Sequence, residues 1–373
     1  MSKIDEMIAE LCPDGVEYKR LGDLLDYSQP GKYLVKSTDY SDDFPTPVLT
    51  AGKSFILGYT DEQKGIYPAA PETPVIIFDD FTTDFKWVDF PFKAKSSGMK
   101  MLTPKTDRFD FRYIYYAMTR IGFHPLDHKR HWISEYSKFT IPVPPLPVQQ
   151  EIRRTLDKFA ELEAELEAEL EARKAQYAYY RDKLLSFERE SRWLKMEDLF
   201  YMKAGTHIAA SNISESKNAV QSTPCYGGNG LRGFVESPSH SGRALLIGRQ
   251  GALCGNVYRV EGDFYATEHA VVATCSDLVL QDYAYHMLVN RNLNRYKSAG
   301  AQPGLAVGKL KEVEFLVPSL ETQQKVVDIL DRFDALTASL TDGLPAEIQA
   351  RRQQYEYYRD KLLSFPRLNA EDL

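Results

Sequence analysis

Two apolar stretches of the chain each end in a pair of polar side chains that can form several directed hydrogen bonds. Asp79 and Asp80 follow PVIIF, and Arg249 and Gln250 follow ALLIG. A guanidinium can donate two hydrogen bonds to guanine, a carboxamide can pair with adenine, and a carboxylate can accept from the amino group of cytosine. The two pairs would therefore read different bases. The alternative is that the aspartates shape a turn and that Arg249 forms a structural ion pair.

Two further loops, each ahead of a proline-containing junction, offer groups of the same kind. Lys129, Arg130 and His131 lie in DHKRHW, and Gln302 lies in SAGAQPG. Cations that contact phosphates position a nucleic acid without reading it, whereas Gln302 could read a base. The remaining candidates for backbone contacts are Lys95, Ser96, Ser97, Lys100, Lys297 and the glycine-rich turn Gly228, Asn229 and Gly230.

Two patterns suggest other chemistry. GGNGLRG has the glycine spacing of a dinucleotide site, but residues 234–238 predict a strand or loop where that site requires a helix. A plain turn is the other alternative for these glycines. Asp79 and Asp80, together with Asp84 and Lys86, resemble the carboxylate–lysine sets of nucleases. A metal-dependent nuclease therefore stays the enzymatic alternative.

The sequence gives even less support for a metal site or a methyltransferase site. His124, His128 and His131 have a spacing that resembles metal ligands, but Pro125 interrupts a helix there and basic neighbours would repel a cation. Neither a Walker A loop nor the methyltransferase motif Asn/Asp-Pro-Pro-Tyr is present, since VPPL at 143–146 lacks its polar and aromatic ends. We expect no metal site and no catalysis by this chain.

Positive charge is local on a chain whose net charge is −7. Residues 93–138 contain ten Lys or Arg against four Asp or Glu, and residues 291–311 contain five against none. Such patches can neutralise phosphates while acidic elements face elsewhere. The sequence has no apolar run that would span a bilayer, no signal peptide and no CxxC pair, so we expect a cytoplasmic protein without membrane contact.

The chain repeats itself. YYRDKLLSF occurs at 179–187 and again at 357–365, and LPVQQEIRRTLDKFAEL from Leu146 matches LETQQKVVDILDRFDAL from Leu320. Each copy has apolar residues at helical spacing after a proline stretch, which predicts a long helix. The second helix should break near 342–345, because Gly ends helices and Pro can begin the next one.

These elements predict an α+β (α/β-like) protein with two globular domains, each followed by a long helix. The expected boundaries are 1–143 for the first domain, 144–187 for a spacer helix, 188–317 for the second domain and 318–373 for the C-terminal helix. One apolar stripe on each helix predicts an antiparallel coiled coil with pseudo-twofold symmetry. Strands are expected at PVIIFDD, ALLIGRQ and HAVVATC, and short helices at RYIYYAMTR and YAYHMLVNR.

This layout resembles the specificity subunit of type I restriction–modification systems. The resemblance covers the whole chain and rests on CPDGVEYKRLGDL, IPVPPLPVQQEI, LVPSLETQQKV, both YYRDKLLSF copies and AELEAELEAELEA. It implies a non-catalytic subunit whose two target-recognition domains read an asymmetric, bipartite double-stranded DNA site. It also implies two methyltransferase subunits as partners and, through them, restriction/translocase subunits. S-adenosylmethionine, ATP and Mg²⁺ would then belong to those partners.

Identical surface displayed twice would suit two copies of one partner. The repeat includes charged residues, which are seldom buried, so packing of the helices on each other is a poorer account of it. A scaffold that pairs proteins without reading DNA is the remaining alternative. The residues expected to bind the partners are Tyr180, Arg181 and Lys183 in the first copy and Tyr358, Arg359 and Lys361 in the second.

The run AELEAELEAELEA at 160–172 writes one four-residue unit three times. Each unit adds about 6 Å of helix, which is roughly 1.8 base pairs of duplex. We therefore expect the run to set the unread gap between the two half-sites. An ordinary acidic surface helix is the alternative.

Overall fold

The structure is a computed structural model that describes residues 3–52, 54–127, 129–186, 191–251, 254–298, 303–338 and 343–368. Contacts divide the chain into two compact units. The first unit is Met1–Glu165 together with Gln349–Leu373, and the second is Leu166–Ile348. The first unit is thus built from both ends of the chain. None of the helices in the described residues combines the length and apolar character needed to cross a membrane.

The globular part of the first unit combines short helices with two small sheets. Its helices are α1 (Lys3–Leu11), α2 (Leu21–Leu24) and α3 (Phe111–Met118). Its strands are β1 (Glu17–Arg20), β2 (Leu25–Ser28), β3 (Thr46–Leu49), β4 (Ile56–Thr60), β5 (Val75–Asp79), β6 (Phe85–Val88), β7 (Lys93–Ala94), β8 (Met99–Pro104) and β9 (Thr140–Val143). One sheet has the order β2-β8-β5-β6 and the other β4-β3-β7, while β1 pairs with β9.

The predicted long helix is α4 (Leu146–Leu184), and both units contain part of it. A buried glutamine fixes its start. The side-chain Nε2 of Gln149 donates to the carbonyl of Pro144 (2.7 Å), and its Oε1 accepts from the backbone N–H of Asp110 (2.9 Å). Asp110 in turn caps α3 by accepting from the N–H of Tyr113. One side chain therefore ties the beginning of α4 to the beginning of α3.

The globular part of the second unit contains helices and strands of the same kinds. Its helices are α5 (Met196–Leu199), α6 (Gln281–Arg291) and α7 (Val307–Lys311). Its strands are β10 (Arg192–Lys195), β11 (Phe200–Ala204), β12 (Thr223–Gly227), β13 (Gly230–Val235), β14 (His240–Ser241), β15 (Ala244–Gly248), β16 (Val257–Val260), β17 (Asp263–Ala266), β18 (Ala270–Cys275) and β19 (Glu314–Val317). Short 3-10 helices in the two units lie at Gly31–Tyr33, Tyr136–Lys138, Ala210–Asn212 and Leu293–Tyr296.

The two globular parts share one topology, except that the second has an additional strand, β14. The second unit has sheets of order β11-β18-β15-β16 and β13-β12-β17-β14, and β10 pairs with β19. In each unit one strand pairs antiparallel with its hairpin partner and parallel with a later strand: β3 with β4 and β7, and β12 with β13 and β17. The strands predicted at PVIIFDD, ALLIGRQ and HAVVATC are β5, β15 and β18, and the predicted short helices are α3 and α6. The α+β class is confirmed.

The second long helix is interrupted, as predicted, into α8 (Leu320–Ala338) and α9 (Leu344–Leu362). A Cβ on Gly343 would lie 2.6 Å from the carbonyl oxygen of Ala335, so this position requires glycine. The start of α8 repeats the start of α4. Gln323 donates to the carbonyl of Pro318 (2.9 Å) and accepts from the N–H of Leu280 (2.8 Å).

Within each unit the long helices pack through aromatic rings. In the first unit the ring of Phe159 on α4 stacks on Tyr358 of α9, with centroids 5.5 Å apart, and Glu163 accepts from Arg352. The later residue of α4, Glu163, contacts the earlier residue of α9, Arg352, so the two helices pack antiparallel. In the second unit Phe333 of α8 stacks with Tyr180 of α4 at 5.7 Å.

The last described residues complete the first unit. The N–H of Val16 donates to the carbonyl of Pro366 (2.9 Å), and the N–H of Leu368 donates to the carbonyl of Val16 (3.2 Å). The guanidinium of Arg367 lies 4.5 Å from the ring centroid of Tyr18. Residues 366–368 thus pack as an extended segment beside the beginning of β1.

Candidate nucleic-acid interface

Three loops of the first unit meet at the carboxyl end of β5. The N–H of Asp80 donates to the carbonyl of Gly98 in the loop after β7 (3.0 Å). The carbonyl of Asp80 accepts from the N–H of His131 in the DHKRHW segment (2.8 Å). The first-domain candidates are therefore brought together on one surface, although they are far apart in sequence.

The carboxylate of Asp79 shapes its own turn. Its Oδ1 accepts from the N–H groups of Phe81 (2.8 Å) and Thr82 (3.0 Å). This is the turn role that the sequence left open. Asp79 remains part of the candidate interface. Because its Oδ1 already accepts two backbone hydrogen bonds, the carboxylate has less capacity to accept a hydrogen bond from a base.

Asp80 and Lys100 are each 1% exposed, and their charged groups lie 3.2 Å apart. The Oδ1 of Asp80 also accepts from the N–H of Trp132 (2.9 Å). Buried charges persist when they are paired and hydrogen-bonded, so the pair is part of the domain core. The prediction that these two residues contact DNA is wrong. It is also wrong for His131, which is 3% exposed and has its Nε2 3.3 Å from the carbonyl of Asp127.

The predicted contact residues that are exposed in these loops are Lys95, Ser96, Ser97, Lys129 and Arg130. The Nζ of Lys95 donates to the hydroxyl of Tyr40 (2.9 Å), and Lys129 pairs with Asp127 (2.8 Å). Surface ion pairs of this kind are weak, so Lys129 can exchange its partner for a phosphate. With Asp80 buried, the aspartates do not form the open carboxylate pair that a metal-dependent nuclease would need.

The second-unit candidates also converge. The N–H of Arg249, just past β15, donates to the carbonyl of His269 (2.8 Å), and the N–H of Gly251 donates to the carbonyl of Pro303 (3.1 Å). A Cβ on Gly228, in the β12–β13 hairpin, would lie 3.0 Å from the carbonyl oxygen of His269. The hairpin, the end of β15 and the described residues 297–298 and 303–305 thus form one surface, equivalent to that of the first unit.

A cleft of about 220 Å³ lies in this surface. Gln250 is exposed and bridges to Gly304 through the backbone. In the part of the chain that the structure describes, Arg249 forms no ion pair, so its guanidinium can bind a ligand. Lys297 is exposed nearby, and Gln302 lies outside the described residues. The cleft is lined by Arg249, Gln250, Ser298, Gly304, Leu305, Ala306 and Lys309.

The glycine-rich segment is a tight hairpin. Gly230 has a φ of +88°, a conformation that favours glycine. Asn229 is exposed, and its Oδ1 accepts from the hydroxyl of Tyr258 (3.3 Å). The residues after Gly230 continue as β13, so the helix that a dinucleotide site needs is replaced by a strand.

The repeated segments present equivalent tyrosines. Tyr180 and Tyr358 stack one ring face on Phe333 and Phe159 and are each 36% exposed. The side chain of Arg181 is mostly covered and donates to Asn290 (3.2 Å). The side chain of Arg359 is likewise mostly covered and binds Asp360. Lys183 and Lys361 are exposed.

Sequence reasoning missed two groups. Tyr179 and Tyr357, which are 61% and 64% exposed, extend farther into solvent than the tyrosines that follow them. The spacing contained the signal, because Tyr180 belongs to the apolar stripe and Tyr179 does not. Lys309 was missed because it lies in α7, a helix too short to show periodicity.

His286, Asp331 and Asp334 bring potential metal ligands within 4.8 Å of one another. The guanidinium of Arg259 already occupies this cluster, since its Nη2 lies 2.9 Å from the Nε2 of His286 and 2.7 Å from Asp331. A bound cation would be repelled by that charge. The arrangement is an ion-pair network between the domain and its helix.

A family model described as type I restriction modification DNA specificity domain matches residues 13–172 and 190–350. These two matches cover most of the chain, one for each half of the repeat. The chain therefore belongs to the type I restriction–modification DNA specificity family, and the resemblance seen in the sequence is confirmed.

Particular relatives span nearly the whole chain. The type I restriction enzyme EcoR124I/EcoR124II specificity subunit of Escherichia coli is 42% identical over 94% of this chain and 95% of its own length. The fold is similar to that of the S subunit of a type I restriction-modification system from M. genitalium, with a TM-score of 0.65, 17% identity and coverage of 94% and 96% of the two chains. A further structure, solved to explain complex assembly and conformational transition of the type I R-M system, has a TM-score of 0.58, 14% identity and coverage of 94% and 98%.

Proposed function

We propose that this chain is the sequence-recognition subunit of a type I restriction–modification complex and binds an asymmetric, bipartite duplex DNA. One observation carries the proposal: a single topology is built twice, and equivalent loops carry different chemistry. The first surface offers Lys129 and Arg130 beside Asp79. The second offers Arg249 and Gln250 in a cleft. Equivalent scaffolds with different loops suit half-sites of different sequence.

Arg249 and Gln250 are the best candidates for reading bases. Both follow a buried strand, which holds their backbone in place, and neither side chain is buried. Arg249 suits guanine and Gln250 suits adenine. Exposed Lys95, Lys297 and Lys309 suit phosphates, which position the duplex without specifying its sequence.

We assign partner docking to the repeated helix surfaces. Tyr179 with Lys183 and Tyr357 with Lys361 present the same exposed groups twice, which suits two methyltransferase subunits. Restriction/translocase subunits would join through them. In this assignment S-adenosylmethionine, ATP and Mg²⁺ act in the partners, and this cytoplasmic chain catalyses nothing. The specificity-subunit name of its Escherichia coli relative supports this division of labour.

The proposal can be tested with a purified complex of this chain and its modification subunits. Methylation of a randomised duplex library should select two different half-sites separated by a fixed unread gap. Methylation without sequence preference would favour a protein-pairing scaffold. Cleavage of DNA by the chain alone in the presence of Mg²⁺ would favour the nuclease alternative.

The repeated tetrapeptide lies in α4, and we propose that its length sets the gap. Deleting residues 164–167 removes one Ala-Glu-Leu-Glu unit, or about 6 Å of helix. The preferred gap should then shorten by about two base pairs, since one base pair spans about 3.4 Å. Both half-site sequences should stay the same. A matched control replaces Glu165 and Glu167 with alanine, which removes charge without changing helix length. An unchanged gap in the deletion variant would contradict the proposal.

A further inference from the structure

A carboxylate on the helix holds the first domain in place. Asp157 of α4 accepts from the Nε of Arg112 (3.2 Å) and from the hydroxyl of Tyr116 (2.6 Å), both on α3. The guanidinium of Arg112 lies 4.5 Å from the ring centroid of Trp87 and 5.0 Å from that of Tyr115. Aromatic faces on the domain thus fix the cation, and the helix supplies its counter-charge.

The second unit has the same arrangement at the equivalent helix position. Asp331 of α8 lies 174 residues after Asp157, the offset of the helix repeat. It binds the Nη2 of Arg259 (2.7 Å) and the Nε2 of His286 (2.8 Å). The guanidinium of Arg259 lies 4.1 Å from the ring centroid of Tyr285.

The two cations come from different places in the shared topology. Arg112 lies on α3, whereas Arg259 lies on β16. The position in α6 that corresponds to Arg112 is Asp282, which is itself 3.6 Å from the Nε of Arg259. The second unit thus has an acid where the first has Arg112, yet the carboxylate on its long helix is still paired with an arginine. Because the two units reach the same pairing with arginines from different elements, we infer that the place of this contact on the helix matters.

We propose that Asp157 and Asp331 are positioning residues: they fix the angle of each globular domain on its helix and thereby restrict the complex to one gap between half-sites. The inference rests on the proposed function. Hydrophobic contacts between domain and helix are not directional. A hydrogen-bonded ion pair has a defined geometry, so it can stop a domain from rocking along the DNA.

The test measures methylation by the complex on duplexes whose gap is native or changed by one base pair. In an Asp331→Ala variant, the ratio of methylation at the native gap to methylation at the changed gap should fall about tenfold. Losing a fixed geometry costs large factors in rate. Both half-site sequences should be unchanged. Asp331→Glu should restore part of the ratio. If the alanine variant does not fold, Asp331→Asn, which keeps the shape without the charge, takes its place.

Asp328→Ala is the matched control, since Asp328 is exposed on α8 and bonds to Gln324 of the same helix. Its ratio should equal that of the unmodified complex. A folded Asp331 variant that keeps the native ratio, or that loses methylation equally at every gap, overturns the inference. An unmodified complex with no bipartite preference overturns the proposed function as well, so the two failures are distinguishable.

Discussion

The two units differ most in the loops after β5 and β15 and least where the long helices begin. Gln149 and Gln323 make the same pair of hydrogen bonds, and Phe159 and Phe333 stack on equivalent tyrosines. The loops after β5 and β15 carry aspartates in one unit and Arg249 with Gln250 in the other. The scaffold is therefore specified by buried polar and aromatic groups, and its loops can vary without disturbing it.

The cores also differ in one respect. The first unit buries the Asp80–Lys100 ion pair at the base of its loops. At the equivalent places the second unit has exposed Gln250 and buried apolar Ala270. Backbone hydrogen bonds join the loops of both surfaces, and the first surface has the buried charge pair in addition.

Breaking that charge pair should have the largest effect. Lys100→Met leaves Asp80 buried and unpaired, which should destabilise the first unit by about 3–5 kcal/mol. Hydrogen exchange of the full chain should show faster exchange in β5 and β8 and unchanged exchange in β15 and β18. The exposed Lys129→Met variant serves as control. Equal protection in Lys100→Met and the unmodified chain would show that the pair contributes little.

Removing the paired glutamines should destabilise both units. Gln149→Ala leaves the N–H of Asp110 and the carbonyl of Pro144 without these partners, and each unsatisfied group costs about 1–3 kcal/mol. Gln323→Ala should cost somewhat more in the second unit, because Gln323 also donates to the carbonyl of Leu278 (3.0 Å). Chemical unfolding followed by exchange in α3 and α6 compares the two. An effect on one unit only would break the equivalence. Gln324→Ala, on the exposed face of α8, is the control.

Replacing Arg249 should sharpen the difference between the loops. Arg249→Ala should relax selection at one base of one half-site, because a bidentate contact with guanine contributes about 1–3 kcal/mol of discrimination. A change in the first unit, Lys129→Ala, should weaken binding to all sequences and lower the slope of log affinity against log salt by about one. Sequence selection by the methylating complex and salt titrations of binding measure the two effects. If Lys129→Ala relaxed the selection of a base, Lys129 would be a base-reading residue and its assignment to a phosphate contact would be wrong.

A smaller, pH-dependent difference should separate the helix contacts. Burial lowers the pKa of His286, whereas its first-unit counterpart Tyr116 has a raised pKa because of burial and its bond to Asp157. The unfolded chain then binds more protons near pH 6, so the second unit should lose stability as pH falls below about 6.5 and level off below the folded pKa. Exchange in α6 and α3 at pH 7.5 and 5.5 measures this. His286→Gln should remove the difference, and equal pH dependence of the two helices would contradict it.

The sequence predicted the fold better than the site. Duplication, helix starts and the break at Gly343 follow from local signals, namely exact repeats, prolines and glycine. The burial of Asp80 and Lys100 could not be predicted, because the two residues are 20 positions apart and a charge pair looks like a surface feature until both partners are placed. The convergence of Gly228, Arg249 and residues 303–305 likewise arises from strand order, which local periodicity does not encode.

The docking of Pro366 and Arg367 against Val16 and Tyr18 has a consequence for biosynthesis. A ribosome delivers Val16 350 residues before Pro366, so the first-translated domain stays incomplete until the segment around Pro366 has been synthesised. The second unit, Leu166–Ile348, is continuous and is synthesised before that segment. The second unit can therefore finish folding before the first, and a chain that stops short of Pro366 lacks contacts of the domain that was translated first.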